Sequence, residues 1–123
     1  MARILVAEDE ASVRDLVRSA LALDGHDAVT AMDGAEALEI LQSGERFDLL
    51  LSDIRMPIMD GIALALAAAR EFPQMPILLM TGYAEQRERA SNLEALIRDV
   101  LSKPFTLAEL RAKVNAALVA TAP

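Results

Sequence analysis

Five side chains that could do chemistry together stand at the ends of short apolar runs. Glu8 and Asp9 follow Arg3-Ile4-Leu5-Val6-Ala7, and Asp53 closes Phe47-Asp48-Leu49-Leu50-Leu51-Ser52. Thr81 follows Ile77-Leu78-Leu79-Met80, and Lys103 follows Val100-Leu101-Ser102. Three carboxylates, a hydroxyl and an ammonium on one rim suit phosphate and a divalent cation, because Mg²⁺ takes one or two carboxylates and keeps several waters. Two unit negative charges ~4 Å apart repel by roughly 4 kcal/mol at an effective dielectric of 20. Such a cluster needs a cation or a carboxyl that keeps its proton; Lys103 and Mg²⁺ would each answer it. Taken singly, the same residues have plainer roles. Acidic side chains favour the first turn of a helix, Thr81 could cap a helix over 84–96, and most lysines are solvated.

For the five to meet, the runs must be parallel strands whose carboxyl ends share one edge, where open α/β sheets bind ligands. The chain alternates accordingly. Val13, Leu16, Val17, Ala20 and Leu21 fall at helical spacing before Gly25, and Asp27 to Ala31 reads as a short strand. Asp33-Gly34 opens a helix carrying Ala37, Leu38 and Leu41 that stops at Gly44, and 47–52 is a strand without alternation, as expected when both faces are covered. The turn Met56-Pro57-Ile58-Met59-Asp60-Gly61 leads into an alanine-rich helix from Ile62 to Phe72, ended by Pro73 and Pro76. Strand 76–80 precedes a charged segment, Glu85 to Ile97, whose Glu85, Arg87, Glu88, Arg89 and Glu94 read as a solvated face. Strand 99–102 then leads to a helix with Leu107, Leu110, Val114 and Leu118 on one stripe, where Thr106 and Glu109 form a capping box. Five βα units with right-handed crossovers make a doubly wound parallel sheet.

Composition bounds the rest. The 123 residues fit one domain, and hydrophobic residues at 54% with aromatics at 3% predict an aliphatic core. No apolar stretch approaches the ~18 residues of a membrane span, and because Met1-Ala2-Arg3 runs straight into the first strand no leader is expected. The absence of cysteine excludes disulfides and thiolate chemistry. A net charge of −7 argues against non-specific nucleic-acid binding. The expectation is an acidic, soluble, cytoplasmic domain. His26, the one histidine, reads as solvated and is assigned no role.

The ordered set Glu8-Asp9, Asp53, Met56-Pro57, Asp60-Gly61, Thr81-Gly82 and Lys103-Pro104-Phe105 resembles the receiver domain of bacterial two-component response regulators, from Arg3 to about Val119. The resemblance implies a flavodoxin-like fold with strand order 2-1-3-4-5, as one receiver domain over 1–123 with its core at 3–119. It implies that Asp53 is the phosphoacceptor, taking a phosphoryl group from a histidine kinase or phosphotransfer protein. Glu8, Asp9, Asp53 and the backbone carbonyl of Arg55 would hold Mg²⁺; Lys103, Thr81 and Gly82 would bind the phosphoryl group; the Lys103-Pro104 peptide bond would be cis. Such a chain is not an enzyme in the ordinary sense, although it takes part in its own phosphotransfer and slow dephosphorylation. Its downstream protein partner would read the face formed by the fourth helix, fifth strand and fifth helix. It would be a monomer or weak dimer, with no nucleic-acid or membrane partner.

Three departures from the family pattern stand out. Val100 occupies the place where an inward-turning Tyr or Phe is common, Ala95-Leu96-Ile97-Arg98-Asp99 replaces the usual Gly-Ala signature, and an aromatic stands instead at Tyr83. Tyr83 is therefore expected to report the switch in place of the aromatic missing at Val100. Arg55 and Tyr83 together are expected to shield the phosphoryl group and slow its hydrolysis.

The chain begins two residues before its first strand and ends soon after its last helix, so a stand-alone regulator is expected. Ile4-Leu5-Val6-Ala7-Glu8-Asp9, Asp53-Ile54-Arg55-Met56-Pro57, Thr81-Gly82-Tyr83-Ala84 and Val100 to Phe105 resemble the alphaproteobacterial single-domain regulators typified by CpdR. These act in cell-cycle control of regulated proteolysis. The rival is a phosphate shuttle or sink for a hybrid kinase. From other classes, a flavodoxin-like cofactor binder would need a Gly/Ser/Thr-rich loop where Ala7-Glu8-Asp9-Glu10 stands. A Mg²⁺-dependent aspartate phosphatase would carry a second carboxylate at Arg55.

Overall fold

The structure is a computed structural model that describes residues 2–82 and 84–121. Ten elements alternate: β1 (Arg3–Ala7), α1 (Ala11–Leu23), β2 (Asp27–Ala31), α2 (Gly34–Gln42), β3 (Leu49–Asp53), α3 (Gly61–Glu71), β4 (Ile77–Thr81), α4 (Ala84–Ser91), β5 (Asp99–Ser102) and α5 (Leu107–Thr121). The strands form one sheet in the order β2-β1-β3-β4-β5, and every neighbouring pair is parallel. This is the doubly wound topology that the alternation of apolar runs and helices predicts.

Because strand side chains alternate between faces, each buried strand serves two cores. Ile4, Val6, Leu49, Leu51, Leu78 and Met80 pack with Val17 and Leu21 of α1 and Leu110 and Val114 of α5. Leu5, Ala7, Leu50, Ile77 and Leu79 face the other way, onto Ala37 and Leu41 of α2 and Leu64, Ala65 and Ala68 of α3. At ~25 cal/mol per Å² of apolar area removed from water, this two-sided burial is the main force holding the layers together.

Helix ends are set by side chains. Asp33 caps α2 by accepting from the Glu36 amide at 2.8 Å, and Asp60 caps α3 by accepting from Ala63 at 2.9 Å. The Thr106–Glu109 capping box forms in both directions, at 3.0 and 2.9 Å. Two glycines let helices start directly against neighbouring backbone. A Cβ at Gly61 would collide with the Asp53 carbonyl oxygen, and one at Gly34 with the Met59 carbonyl oxygen. The starts of α2 and α3 therefore brace the loop after Asp53.

The structure corrects the sequence reading in detail. β3 includes Asp53, so the carboxylate stands on the last residue of a fully buried strand. The fourth helix stops at Ser91, and 92–96 are turns. Of its residues from Gln86 onward only Gln86 and Ala90 are buried, and without an apolar stripe no packing carries the helix further. His26 is not simply solvated. It is half-buried, with Nδ1 accepting from the Ala2 amide at 3.2 Å and Nε2 3.0 Å from Asn115 Oδ1. In the neutral ring an accepting Nδ1 leaves the hydrogen on Nε2, which donates to Asn115.

Candidate functional site

Parallel register brings the chemical side chains to one rim. Ala7 lies beside Ser52, Asp53 beside Met80, and Thr81 beside Ser102, so Glu8, Asp53, Thr81 and Lys103 leave neighbouring strands at one level. Glu8 is fully buried and Asp53 is 6% exposed, while Asp9 is exposed to solvent. One carboxylate oxygen from each of the three lies within 4.8 Å of the others. An all-oxygen carboxylate set gathered this closely is the kind of donor set that a hard cation such as Mg²⁺ takes.

Lys103 reaches the same place. Its Nζ donates to Glu8 Oε1 and to Asp53 Oδ2, each at 3.0 Å, and Asp53 Oδ1 accepts the Ile54 amide at 2.9 Å. Burial and the Asp53 charge push the Glu8 carboxyl up to about 7, and the Lys103 ammonium only partly opposes them. Burial alone would lower Lys103. Its bonds to Asp53 and Glu8 outweigh that and hold it above the usual lysine value. The cluster thus carries more negative charge than one ammonium neutralises, and a divalent cation would relieve the excess. The Lys103–Pro104 peptide bond is cis.

Thr81 is 1% exposed, and its Oγ1 is the one buried side-chain polar atom among the described residues without a hydrogen-bond partner. A buried hydroxyl left unbonded costs free energy, so the atom suits an acceptor that arrives from outside. It caps no helix. Gly82, next along, donates its amide to Gln86 Oε1 at 2.7 Å. A cavity of about 660 Å³ opens over the rim, lined by Asp9, Asp53, Arg55, Gly82, Gln86 and Lys103, with Val13, Leu16 and Phe105 at its apolar border. A larger hollow of about 870 Å³ lies around Phe47 and Phe72, away from the acidic trio.

Of the remaining expected site residues, Arg55 is exposed at the cavity wall and Val100 is half-buried on β5. Tyr83 lies outside the described residues. Sequence reasoning gave no role to three groups. Arg14 Nη1 donates to the carbonyl oxygens of Glu8, at 2.8 Å, and Asp9, at 3.1 Å, and so fixes the turn that carries both carboxylates. Asp60 adds to its cap an ion pair with Arg89 of α4 at 2.9 Å. Gln86 is buried against Gly82. The Asp60-Gly61 pair carried a readable capping signal; Arg14 and Gln86 had none.

Comparison with known proteins agrees with this geometry. The family model described as the response regulator receiver domain matches residues 4–115. The response regulator MprA of Mycobacterium avium (strain 104) is 38% identical over 98% of this chain and 53% of its own length. The MprA of Mycobacterium sp. (strain KMS) is 36% identical over 98% of this chain and 52% of its own. The chain thus spans about half the length of these curated relatives. Among solved structures, the chemotaxis response regulator CheY4 of Vibrio cholerae superposes with a TM-score of 0.85 at 30% identity, covering 95% of this chain and 98% of that one. The response regulator TrrA of Thermotoga maritima, in complex with Mg²⁺ and BeF, gives a TM-score of 0.86 at 33% identity, covering 95% and 99%.

Proposed function

The chain belongs to the response regulator receiver domain family, and from that premise we propose that residues 1–123 form a single receiver that accepts a phosphoryl group on Asp53. The observation that carries this reading is the convergence of Glu8, Asp9 and Asp53 under the Lys103 ammonium, beside a buried Thr81 hydroxyl that lacks a partner. An Asp53 carboxylate oxygen attacks the phosphorus of a phosphohistidine on a histidine kinase or phosphotransfer protein. The new O–P bond forms as the P–N bond breaks, and the imidazole leaves. Glu8, Asp9, Asp53 and the Arg55 carbonyl would hold Mg²⁺, which when bound supplies charge neutralisation for the incoming phosphoryl oxygens. Lys103 exchanges its bond to Asp53 for one to the phosphoryl group, and Thr81 and Gly82 offer it hydrogen bonds. Arg55, at the cavity wall, limits the approach of water. The phosphorylated chain then changes its protein contacts through α4, β5 and α5.

The narrower reading is a CpdR-like regulator of proteolysis. The four short stretches resembling that group support it, and binding of an ATP-dependent protease by the unphosphorylated form would test it. The deciding experiment for the broader reading is intact mass after incubation with acetyl phosphate and Mg²⁺, beside Asp53→Asn. One phosphoryl adduct that requires Mg²⁺ and is lost in the variant is the expected result. An adduct that persists in Asp53→Asn overturns the assignment.

A further inference from the structure

We propose that Gln86 is a positioning residue of the acceptor site, whose carboxamide oxygen occupies the Gly82 amide until a phosphoryl oxygen displaces it. The inference rests on the reading of Asp53 as acceptor and adds a residue that competes with the bound group. Two adjacent donors line the end of β4. The Thr81 hydroxyl has no partner, and the Gly82 N–H is taken by Gln86 Oε1 at 2.7 Å. Gln86 is 6% exposed, and it lines the same cavity as Asp53, Gly82 and Lys103. Its carboxamide oxygen thus occupies the Gly82 amide at the wall of the cavity that Asp9 and Asp53 also line.

The exchange has a direction. A phosphoryl group brings strong acceptor oxygens and negative charge, and a charge-assisted bond is about twice as strong as a neutral one. An anion therefore wins the Gly82 amide from a neutral carboxamide. The displaced Gln86 is then a buried polar group without its partner, which is costly, and it relaxes by turning away from Gly82. It sits near the start of α4, which Arg89 ties by an ion pair to Asp60, the N-cap of α3. Arrival of the anion at Gly82 thus bears on the helix through one side chain. Affinity for the anion is the difference between two bonds to one amide, so changing Gln86 must move it in a predictable sense.

The test uses the full chain with Mg²⁺ and beryllofluoride as the phosphoryl stand-in, followed by ¹⁹F and amide NMR. In Gln86→Met, which keeps length and removes the acceptor, beryllofluoride binds roughly threefold to tenfold tighter, the value of one net hydrogen bond. In Gln86→Glu, which keeps the acceptor and charges it, binding weakens by at least the same factor. In the parent the Gly82 amide resonance moves on binding. A merely structural role would weaken binding in both variants, so shifts of the same sign, or a Gly82 amide unmoved in the parent, overturn the proposal. The two readings fail separately. A parent that takes neither acetyl phosphate nor beryllofluoride undoes the acceptor assignment itself, whereas a parent that takes both while the variants shift together undoes only the role of Gln86.

Discussion

The α1–α5 pair and α4 are both helical neighbours of the same sheet, but they are fastened by different means. α1 and α5 bury Val17, Ala20, Leu21, Leu110, Val114 and Ala117 in one aliphatic core. They also clasp each other through Arg111, whose Nε and Nη2 reach the two oxygens of Asp24 at 2.9 and 2.6 Å. Asn115 extends that clasp to Asp24 and His26. From Gln86 onward α4 buries Gln86 and Ala90 alone; Ala90 is its small apolar contact with the core, and its side-chain ties include Gln86 to Gly82 and Arg89 to Asp60. Apolar contact is non-directional and resists release in any direction, while a hydrogen bond can be traded for another at small net change. The pair is held as an apolar wall, whereas α4 is held largely by polar contacts, which is what the proposed displacement of Gln86 requires.

The largest effect that would break this comparison lies on the wall. Leu110 is fully buried, and Leu110→Ala should cost about 3 kcal/mol, within the range of lost transfer energy plus a cavity. Urea unfolding measures it directly. A cost below about 1 kcal/mol would mean that the wall is no stiffer than α4.

Next comes the rim. The native Glu8 carboxyl is raised from its ordinary value of 4.5 to about 7, so the folded state holds this proton more tightly than the unfolded chain. Glu8's contribution is therefore most favourable below pH ~4.5 and declines as pH rises to ~7. On the proposed reading Mg²⁺ would take the proton's place at high pH, and at free Mg²⁺ of about 100 times its Kd it should add ~2.7 kcal/mol. The urea midpoint should rise with Mg²⁺ far more at pH 8 than at pH 5. An equal rise at both would separate metal binding from Glu8.

Asp24 titrates in another window. Its hydrogen bonds to Arg111 lower it from 3.8 to about 2. The stability it contributes is present above pH ~3.8 and lost as pH falls through ~2. The gap in stability between the parent and Asp24→Asn should be open at pH 5 and close toward pH 2. A gap that does not change with pH would make the clasp a matter of shape rather than charge.

How much of this was legible in the sequence follows from the range of each contact. The strands could be read because parallel strands covered on both faces give unbroken runs such as Ile77-Leu78-Leu79-Met80. The rim could be read because its residues each end such a run, and topology alone makes the ends neighbours. The clasp could not: Arg111 and Asp24 are 87 positions apart, and His26 and Asn115 are 89 apart. No local pattern marks either pair. The end of α4 was hidden for another reason, since the charges of 85–97 announce a solvated segment without saying where packing ceases to support a helix.

The smallest predicted effect is the most discriminating for α4. The Arg89 side chain is 50% exposed and that of Asp60 34%, so their ion pair should contribute no more than ~1 kcal/mol. Arg89→Ala should barely move the urea midpoint, yet amide exchange along α4 should quicken severalfold, because local opening is not tied to global unfolding. Asp60 also caps α3 through Ala63, so Asp60→Ala mixes two losses. Asp60→Ser keeps a capping oxygen and removes the charge, and it should reproduce Arg89→Ala. If Arg89→Ala instead lowered global stability as much as Leu110→Ala, α4 would belong to the wall. A phosphoryl group at Gly82 would then have nothing loose to move.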